Sequence, residues 1–568
     1  MKHFLTSWLA PLRVAAVALV GGLLTLTSCA KFEAPDPAAD PQAGSTSQNT
    51  IFSGNFVHPG ILHGAADLAR MRTNVTGNVE PWKSGFDKLA GTASSTTNYA
   101  SYNYAKLGPG AVIERGTGGA DIQNVTKARK DCNAAYYNAV MWAITRDQRH
   151  ADKAKEILNA WSGTLTGITG ADAQLSAAIY GAMFVNAAEI LRHTNAGWAT
   201  GDIDRAEGMF RNVFYPVIRN FNPSANGNWD AAMTKCIMGI GVFLDDATIF
   251  NSGVRNFYNQ NGSNSNGSLV GYISSTGQCQ ESARDQGHVQ FGIGNLAEVC
   301  EIGNNQGMDL YGAENNRLLK GFEYTAKYNL GYSVPYEPYR KLNGSVSTST
   351  SISEIGRGNL RSIYEMVYNH YANRKGLSAS AVQYTSQAAA QLRPEGAPFQ
   401  SDNPGFGTIL FSLRSFPGNF LTNPGFEDGT TGWTGRNCAL TATTTYKFDG
   451  TQSARIESRT QNASGPSQDI TSILNTKGQA VYDISARVKK ITVSELKYRA
   501  KVTVKLRYGG VDHYVNVQEN YGSDNWYLIS GSVDLRWTGT LEDAEFFVET
   551  TDNTYGMLVD QCSLVKTY

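Results

Sequence analysis

The stretch QESARDQGH, which starts at residue 280, brings together four side chains suited to acid–base and anion chemistry. On an α-helix, Glu281, Arg284, Asp285 and His288 would occupy positions i, i+3, i+4 and i+7, which line one face. Gly292 follows one turn after His288 on the same face, where its missing side chain leaves open space. We therefore predict that this polar face meets a ligand.

These residue types fit two kinds of chemistry by themselves. A glycoside hydrolase needs two carboxyl groups across a cleft, roughly 5–10 Å apart, and Glu281, Asp285 and Asp230 are the candidates. A surface that grips a glycan without cleaving it needs only the polar and aromatic side chains. Arg284 suits either a substrate carboxylate or an ion pair with Glu281, which lies one turn away.

A second polar segment, ANGNWDAAM at 225–233, opens a predicted helix with Asn228 and Trp229. Asparagine is a common N-cap residue, because its side-chain oxygen accepts a free backbone N–H. Asn228 is therefore either a cap or a hydrogen-bond donor to a ligand, and the first role does not exclude the second. Tyr136 and Trp142, on an earlier helix, belong either to the core or to a wall on which sugar rings stack.

A third group of candidates, rich in tyrosine and arginine, follows further along the chain. Tyr336 and Tyr339 belong to a loop, YNLGYSVPYEPYR, that could reach the same cleft. Arg357 and Tyr364 are seven residues apart, a spacing that puts both on one helical face if the helix begins at Gly356. The sequence leaves open which tyrosine would act as an acid.

Helices must position these side chains. Residues 55–415 are assigned to a helical domain, since apolar residues recur there at three- and four-residue spacing as far as about residue 385. Consecutive antiparallel helices without strands between them predict an all-α bundle, solenoid or α/α toroid. A toroid is favoured, because the polar candidates cluster at helix starts and would line a central cleft. The predicted helices are 131–147, 174–194, 203–221, 229–250, 288–303, 316–330 and 360–376.

Residues 416–568 alternate polar and apolar positions with period two and carry regular turn signals, which predicts an all-β sandwich. The segment NPGFEDG, followed by Trp433 and a terminal run through Asp560, resembles the jelly-roll carbohydrate-binding modules of polysaccharide enzymes. By that resemblance, oxygen atoms near Glu427 and Asp560 would hold a structural Ca²⁺, a hard cation that prefers such ligands.

The N-terminus predicts export. A basic start precedes an apolar run that is too short for a membrane span and is typical of a secretory signal, assigned to residues 1–28. The tetrad at 26–29 resembles the bacterial lipobox, in which cleavage leaves Cys29 as a lipidated N-terminus. A Pro-, Ala- and Ser-rich tether follows at 29–54. We expect a cell-envelope lipoprotein of the outer membrane, facing the periplasm or the surface, or a secreted protein.

The 568 residues include 49 basic and 49 acidic side chains, a balance that gives no support for a nucleic acid partner. We expect a monomer whose partners are an acidic polysaccharide and, through the lipid, a membrane. None of the cysteines shows the CxxC spacing of a zinc site. Outside the cytoplasm Cys438 and Cys562 could pair, whereas Cys236 lies mid-helix among apolar residues and is expected to be a buried free thiol.

The helical part, roughly residues 57–395, resembles the alginate lyase family of α/α-toroid polysaccharide lyases. The motifs that carry the resemblance are HPGILH at 58–63, GNWDAAM at 227–233, QESARDQGH at 280–288, NQGMDLYG at 305–312, FEYTAKYNLG at 322–331 and RSIYEMVYNHYANRKG at 361–376. The resemblance implies metal-independent β-elimination on a uronic-acid polymer. Alginate or polymannuronate is the first expectation, with glucuronan or a glycosaminoglycan as alternatives.

In that reaction a donor neutralises the uronate carboxylate, a base removes the C5 proton and an acid protonates the departing O4. The resemblance implies that Asn228 is the neutraliser, with Gln286 as a second candidate, and that His288 is the active-site histidine. Arg357 and Tyr364 resemble the arginine and the catalytic tyrosine of a later helix. The side chains expected to contact substrate are Trp229, Glu281, Arg284, Gln286, Tyr336, Tyr339 and Tyr136.

The stereochemistry of the uronate decides how these roles are shared. In mannuronate the C5 proton and O4 leave from the same side, so one tyrosine can serve as both base and acid. In guluronate they leave from opposite sides, which suits His288 as the base and a tyrosine as the acid. The sequence does not decide between the two.

Overall fold

The computed structural model of the protein describes residues 51–91, 98–262, 264–413, 419–448, 450–491, 498–521, 526–551 and 554–566. The expected signal peptide, the lipidation site Cys29 and the tether up to residue 50 lie outside these described residues. Among the described helices, none combines the length and the apolar character that crossing a membrane requires.

The first part of the described chain is mainly helical, as predicted. Two π-helical segments, Phe210–Phe214 and Asn369–Arg374, extend helices α6 and α13 of the following series. In chain order the α-helices are α1 (Ala65–Thr76), α2 (Trp82–Ala90), α3 (Val125–Thr145), α4 (Gln148–Ser162), α5 (Ala173–Arg192), α6 (Thr200–Met209), α7 (Tyr215–Ile218), α8 (Gly227–Phe243), α9 (Ala247–Phe257), α10 (Leu269–Tyr272), α11 (Gln286–Asn305), α12 (Ala313–Asn329), α13 (Tyr364–Tyr368), α14 (Gln383–Leu392) and α15 (Gly407–Phe411).

Helices α3, α5, α8 and α11 form an inner layer, in which each helix packs against the next. Most of their residues are buried, including polar side chains such as Asp131 on α3 and Glu298 on α11. Helices α4, α9 and α12 pack outside them, with one buried face and one polar face each. This two-layer packing confirms the predicted α/α organisation.

Two details of the helical prediction are wrong. A small sheet lies among the helices, where β1 (Val112–Arg115) pairs antiparallel with β2 (Asp121–Gln123) and parallel with β3 (Gly167–Thr169). The predicted helix 229–250 is broken between α8 and α9, because Asp245 takes a left-handed conformation with φ 52°. The next helix then starts anew, capped by the side chain of Asp246.

The second part of the chain is the predicted β-sandwich. Its two sheets have the strand orders β10-β9-β12-β7-β4 and β11-β8-β13-β6-β5, and one helix, α16 (Thr471–Lys477), lies between β7 and β8 in sequence. The strands are β4 (Thr434–Arg436), β5 (Ala439–Thr443), β6 (Ser453–Glu457), β7 (Gly465–Asp469), β8 (Ala480–Lys490), β9 (Tyr498–Tyr508), β10 (Val511–Tyr521), β11 (Tyr527–Leu535), β12 (Asp543–Thr550) and β13 (Met557–Lys566).

The cysteines of the described chain are all free thiols. The pairing of Cys438 with Cys562 that the sequence left open is not formed, and both side chains pack in the sandwich core. Burial raises the pKa of both thiols, which disfavours the thiolate that disulfide chemistry needs. Cys236 is a fully buried free thiol, as predicted.

Candidate active site

Helix α11 does not extend back over the polar stretch that opens at Glu281. Asp285 is the N-cap residue, and its Oδ1 accepts the backbone N–H of His288 at 2.8 Å. Residues 281–284 form a turn, so the predicted shared helical face from Glu281 to His288 is wrong. The helix begins after Asp285 because the Asp285 carboxylate accepts a backbone N–H of the first helical turn. Without this cap, that N–H would need a carbonyl from one more turn of helix before it.

Asp285 and His288 form a close pair at this helix start. Asp285 Oδ2 lies 2.6 Å from His288 Nδ1, and the imidazole side chain is 42% exposed. Because the carboxylate holds a proton on Nδ1, it leaves Nε2 as the nitrogen that can accept one. Burial raises the pKa of Asp285, but the hydrogen bonds from His288 and the charges of His288 and Arg284 outweigh it and hold the pKa below its ordinary value.

Glu281 connects this pair to helix α8. Its Oε2 accepts the side-chain amide of Asn228 at 2.7 Å and lies 3.0 Å from the hydroxyl of Tyr272, while its Oε1 accepts Arg284 Nη1 at 2.7 Å. The Tyr272 hydroxyl also lies 2.9 Å from the backbone oxygen of His288. Glu281 is buried, whereas the side chain of Arg284 is 44% exposed. Arg284 and His288 are thus partly exposed, whereas the carboxylate of Glu281 is buried and hydrogen-bonded.

Gly292 does not leave open space for a ligand. A β-carbon at this position would lie 2.0 Å from Cζ and 2.1 Å from the hydroxyl oxygen of Tyr272. The glycine therefore admits the tyrosine ring, which is fully buried. The sequence reasoning did not identify Tyr272 as part of this network. The sequence feature that pointed to it was Gly292 on α11.

The structure brings Asn228 to the network but buries it. The N-cap of α8 is Asn226, so the capping interpretation of Asn228 is wrong. Its amide nitrogen donates to Glu281, and its Oδ1 is buried with no hydrogen-bond partner within the described part of the chain. Asn228 therefore holds Glu281 in place and is not open to a substrate. The neighbouring Trp229 is half-buried and packs against the helical core.

Three further predicted site residues lie in the interior. Gln286 donates to the backbone oxygen of Ser353 at 2.9 Å and accepts Asn329 at 3.1 Å, so both ends of its amide are used. Tyr364 is fully buried, and its hydroxyl donates to the side-chain oxygen of Gln290 on α11 at 3.0 Å. Tyr136 is also fully buried and bonded to His63 at 2.6 Å. None of the three presents a surface on which a polysaccharide could bind.

The remaining predicted residues belong to the long segment after α12. Arg357 donates to the backbone oxygens of Tyr328 and Tyr332, and its guanidinium lies 4.1 Å above the Tyr328 ring. It lines a cavity of about 380 Å³. Helix α13 starts only at Tyr364, so the predicted helical face shared with Arg357 does not exist.

The two loop tyrosines differ in exposure. Tyr339 is buried and donates to the backbone oxygen of Gly271 at 3.1 Å, whereas Tyr336 is half-buried and donates to that of Ser349 at 3.0 Å. Burial raises the pKa of Tyr339. Tyr336 is therefore the more accessible hydroxyl of the two.

A cation that the sequence reasoning did not assign lies on the other side of the α11 start. Arg361 Nη1 donates to Asp402 Oδ2 at 2.6 Å. Its Nη2 would lie 3.0 Å from a β-carbon on Gly287, the residue before His288. Arg361 is thus paired with a carboxylate and is 17% exposed, so Arg284 is the more accessible of the two arginines.

About a quarter of the chain matches each of two relatives. It is 29% identical over 165 residues to the exoglucanase XynX of Acetivibrio thermocellus, a stretch that covers 27% of this chain and 15% of that protein. It is 30% identical over 157 residues to endo-1,4-beta-xylanase C of Paenibacillus barcinonensis, covering 26% of this chain and 14% of that protein. The chain thus spans only 14–15% of the length of these relatives.

Two solved structures are similar to portions of the chain. The CBM22-1 xylan-binding domain of Paenibacillus barcinonensis Xyn10C is 29% identical and aligns over 25% of this chain and 93% of its own, with a TM-score of 0.23. An alginate lyase from Bacteroides ovatus is 12% identical and aligns over 63% of this chain and 100% of its own, with a TM-score of 0.44.

Two family models match successive parts of the chain. Residues 418–554 match the model described as a carbohydrate binding domain, and residues 87–333, which include α8 and the start of α11, match the model described as alginate lyase. The chain therefore carries a domain of the alginate lyase family, followed by a carbohydrate binding domain.

Proposed function

We propose that the chain is a polysaccharide lyase that cleaves a uronic-acid polymer by β-elimination, with alginate as the first candidate. The observation that carries the proposal is the Asp285–His288 pair, which is partly exposed beside Arg284 within the alginate lyase domain. It combines a base with a fixed tautomer and a cation for the substrate carboxylate.

In this mechanism His288 Nε2 takes the C5 proton, and the carboxylate of Asp285 stabilises the imidazolium that forms. Arg284 uses one N–H for Glu281 and keeps further donors for the uronate carboxylate. It would thereby stabilise the enolate that develops, the role that the sequence reasoning gave to Asn228. Asn228 and Tyr272 act indirectly. Both hydrogen-bond Glu281, which in turn holds Arg284.

For the acid that protonates O4 we propose Tyr336, because Tyr339 and Tyr364 are buried whereas Tyr336 is half-buried. A separate base and acid suit elimination from opposite sides, as in guluronate. The substrate preference therefore tests the mechanism: a base at His288 and an acid at Tyr336 favour guluronate-rich over mannuronate-rich alginate.

The carboxylates offer little support for a glycoside hydrolase. Glu281 and Asp285 are engaged by Arg284 and His288, as described above. Asp230, the third candidate, is buried and accepts the backbone N–H of Asn222 and the hydroxyl of Ser265, both at 2.6 Å. A hydrolase would need a pair of carboxyl groups facing one cleft.

The test uses the full chain with alginate enriched in either uronate, polyglucuronate and chondroitin. A lyase leaves an unsaturated product that absorbs near 235 nm, and the same reaction in the presence of EDTA tests metal independence. Sugar release without that absorbance would point to a hydrolase. Binding without turnover on every uronate would point to a surface glycan-binding protein. Sizing the products then distinguishes cleavage inside the polymer from cleavage at an end.

For the β-sandwich we propose a carbohydrate-binding role with a structural Ca²⁺. A β-carbon on Gly425 would lie 3.8 Å from Asp560 Oδ1 and 4.0 Å from Glu427 Oε1, so the two acidic side chains converge on one turn. Both also accept backbone N–H groups, and carboxylate oxygens are the ligands that a hard cation such as Ca²⁺ prefers. We expect EGTA to lower the melting temperature of the protein and Ca²⁺ to restore it; an unchanged value would contradict the site.

For the N-terminus we propose cleavage before Cys29 and lipidation of its thiol. Incorporation of radiolabelled palmitate into the expressed chain tests this proposal. The label should be lost in Cys29→Ser, and a wild-type chain that takes up no label would contradict it.

A further inference from the structure

A histidine–carboxylate cluster lies at the C-terminal end of helix α5. His58 Nδ1 is 2.7 Å from Glu189 Oε1, and its Nε2 is 3.0 Å from Asp245 Oδ1. His193 Nε2 is 3.7 Å from Glu189 Oε2, and the two imidazole rings are stacked with their centroids 4.3 Å apart. One nitrogen from each histidine and one oxygen of Glu189 all lie within 4.8 Å of one another.

Two atoms of this cluster lack the hydrogen bonds that burial demands. Glu189 is 1% exposed, yet its Oε2 has no hydrogen-bond partner anywhere in the described ranges. The same holds for the buried Nε2 of His193, which faces it at 3.7 Å. An unpaired buried carboxylate oxygen is costly. A separation of 3.7 Å suits two ligands that share one metal ion with bonds of about 2.0–2.2 Å.

The cluster is remote from the candidate active site. The segment that carries His58 contacts the far end of α11, where Gln306 accepts the backbone N–H of Val57 and donates to the backbone oxygen of Gly60. His288 lies at the opposite end of that helix, roughly 27 Å away at 1.5 Å per residue. The reaction proposed above uses none of these side chains.

We propose that His58, Glu189 and His193 bind one Zn²⁺ ion that fastens the segment before α1 to the end of α5. Two imidazoles and one carboxylate are a ligand set that zinc accepts in tetrahedral sites. Water would take the fourth position, because Asp245 lies at the other ring nitrogen of His58, where its Oδ1 is 3.0 Å from Nε2 and orients the imidazole. Glu189 Oε1 keeps the backbone N–H of Gly60 at 3.0 Å, an outer hydrogen bond that orients the ligating carboxylate.

Binding breaks one hydrogen bond of the cluster and unstacks the two imidazoles, because a ring nitrogen coordinates in the plane of its ring and two parallel rings cannot both direct a lone pair at one ion. A ring nitrogen that donates a proton cannot also coordinate a metal, so His58 must release its proton and its bond to Glu189 when zinc enters. Glu189 Oε1 then keeps its hydrogen bond from the backbone N–H of Gly60, and Glu189 Oε2 binds the ion. The site is therefore more stable when it is filled, since both unpaired atoms acquire a ligand bond.

The test measures Zn²⁺ binding to the full chain after removal of metals with a chelator, by titration calorimetry and by metal analysis. We expect one Zn²⁺ per chain in the wild type. We expect affinity to fall roughly 100-fold or more in His193→Gln, because even outer-shell changes at metal sites cost 10–100-fold. His513→Gln is the matched control, since His513 lies on β10 and stacks on Tyr508, and it should bind like the wild type.

A wild type that takes up no stoichiometric zinc, or a His193→Gln variant that binds as tightly as the wild type, would overturn the proposal. If His193→Gln fails to fold, X-ray absorption on the zinc-loaded wild type decides. Two imidazole nitrogens with oxygen ligands support the site, and a shell without imidazole or with sulfur excludes it. Lyase activity is measured separately, so failure of the zinc site leaves the proposed reaction untouched.

Discussion

At the scale of single residues, the Asp285–His288 pair is the part of the site that most directly controls the chemistry. His288→Gln removes the proposed base, and we expect the 235 nm rate on alginate to fall by about 10²–10⁴-fold. The melting temperature should change little, since the imidazole is 42% exposed and its backbone N–H still reaches Asp285. His513→Gln, remote in the β-sandwich, should leave the rate unchanged.

Asp285→Asn separates the structural role of this residue from its electrostatic role. Asparagine is as good an N-cap as aspartate, so α11 should keep its start. The negative charge that stabilises the imidazolium is lost, and kcat should therefore fall at constant melting temperature. An unchanged kcat in both variants would remove this pair from the mechanism.

A second prediction concerns Gly292. Its missing side chain leaves the space beside α11 that the Tyr272 ring fills. Gly292→Ala places a methyl group 2.0 Å from the ring and should cost about 1–3 kcal/mol of unfolding free energy, as overpacking does. The rate should fall as well, since the displaced hydroxyl holds Glu281. Gly208→Ala is the control: its β-carbon meets no atom nearer than 4.0 Å, and it should gain about 0.5–1 kcal/mol. Urea denaturation compares the two, and equal effects would contradict this account.

Sequence reasoning reached some of these residues and missed others for a physical reason. The i, i+3 and i+7 spacing placed Arg284 and His288 near each other, and they remain neighbours even though a turn replaces the first part of the helix. A family resemblance does not report burial, so it assigned catalytic roles to Asn228 and Tyr364 although both lie in the interior. Tyr272 was out of reach, because its contact with Gly292 joins two separate elements.

At the scale of elements, Glu395 ties the segment after α14 to the start of α15. It is buried, and its carboxylate accepts the backbone N–H of Thr408 at 2.6 Å and the hydroxyl of the same residue. Burial, together with the nearby charge of Glu365, raises the pKa of Glu395 to about 7. The folded chain therefore holds a proton at a pH where the unfolded chain has lost it.

The sign of the pH effect follows from this difference. Stability from a raised carboxyl pKa is present below the unfolded value of about 4.5 and is lost as pH rises through about 7. We expect the free energy of unfolding of the wild type to fall over this window relative to Glu395→Gln, by at most about 1.4 kcal/mol per pH unit. Parallel curves for the two proteins from pH 4.5 to 7 would show that Glu395 titrates normally.

Elements with strong apolar periodicity could be predicted from sequence, and their ends could not. The α5 and α11 predictions fall within two residues of the observed bounds, because continuous burial fixes their pattern. The break at Asp245 was invisible, since the apolar spacing continues across it from α8 into α9. A left-handed residue and an N-cap set that boundary, and neither changes the hydrophobic period.

At the scale of the whole molecule, the described chain contains two separate hydrophobic cores, one among the helices and one between the two sheets. A hydrogen bond crosses between the parts, from Arg487 on β8 to the backbone oxygen of Gln391 on α14 at 2.6 Å. Polar contacts of this kind couple domains weakly compared with a shared apolar core. We therefore infer that the two parts unfold as separate cooperative units.

Matched core substitutions test this inference. Phe546 and Phe184 are both fully buried, the first in the sandwich core and the second in the helical core. Phe546→Ala should destabilise the sandwich by about 3–5 kcal/mol and lower one of two calorimetric transitions, without changing the 235 nm rate on short soluble substrates below that transition. Phe184→Ala should lower the other transition and the temperature at which that rate is lost. If either substitution moved both transitions equally, the cores would form one cooperative unit, and the lyase domain would depend on its carbohydrate binding domain for stability.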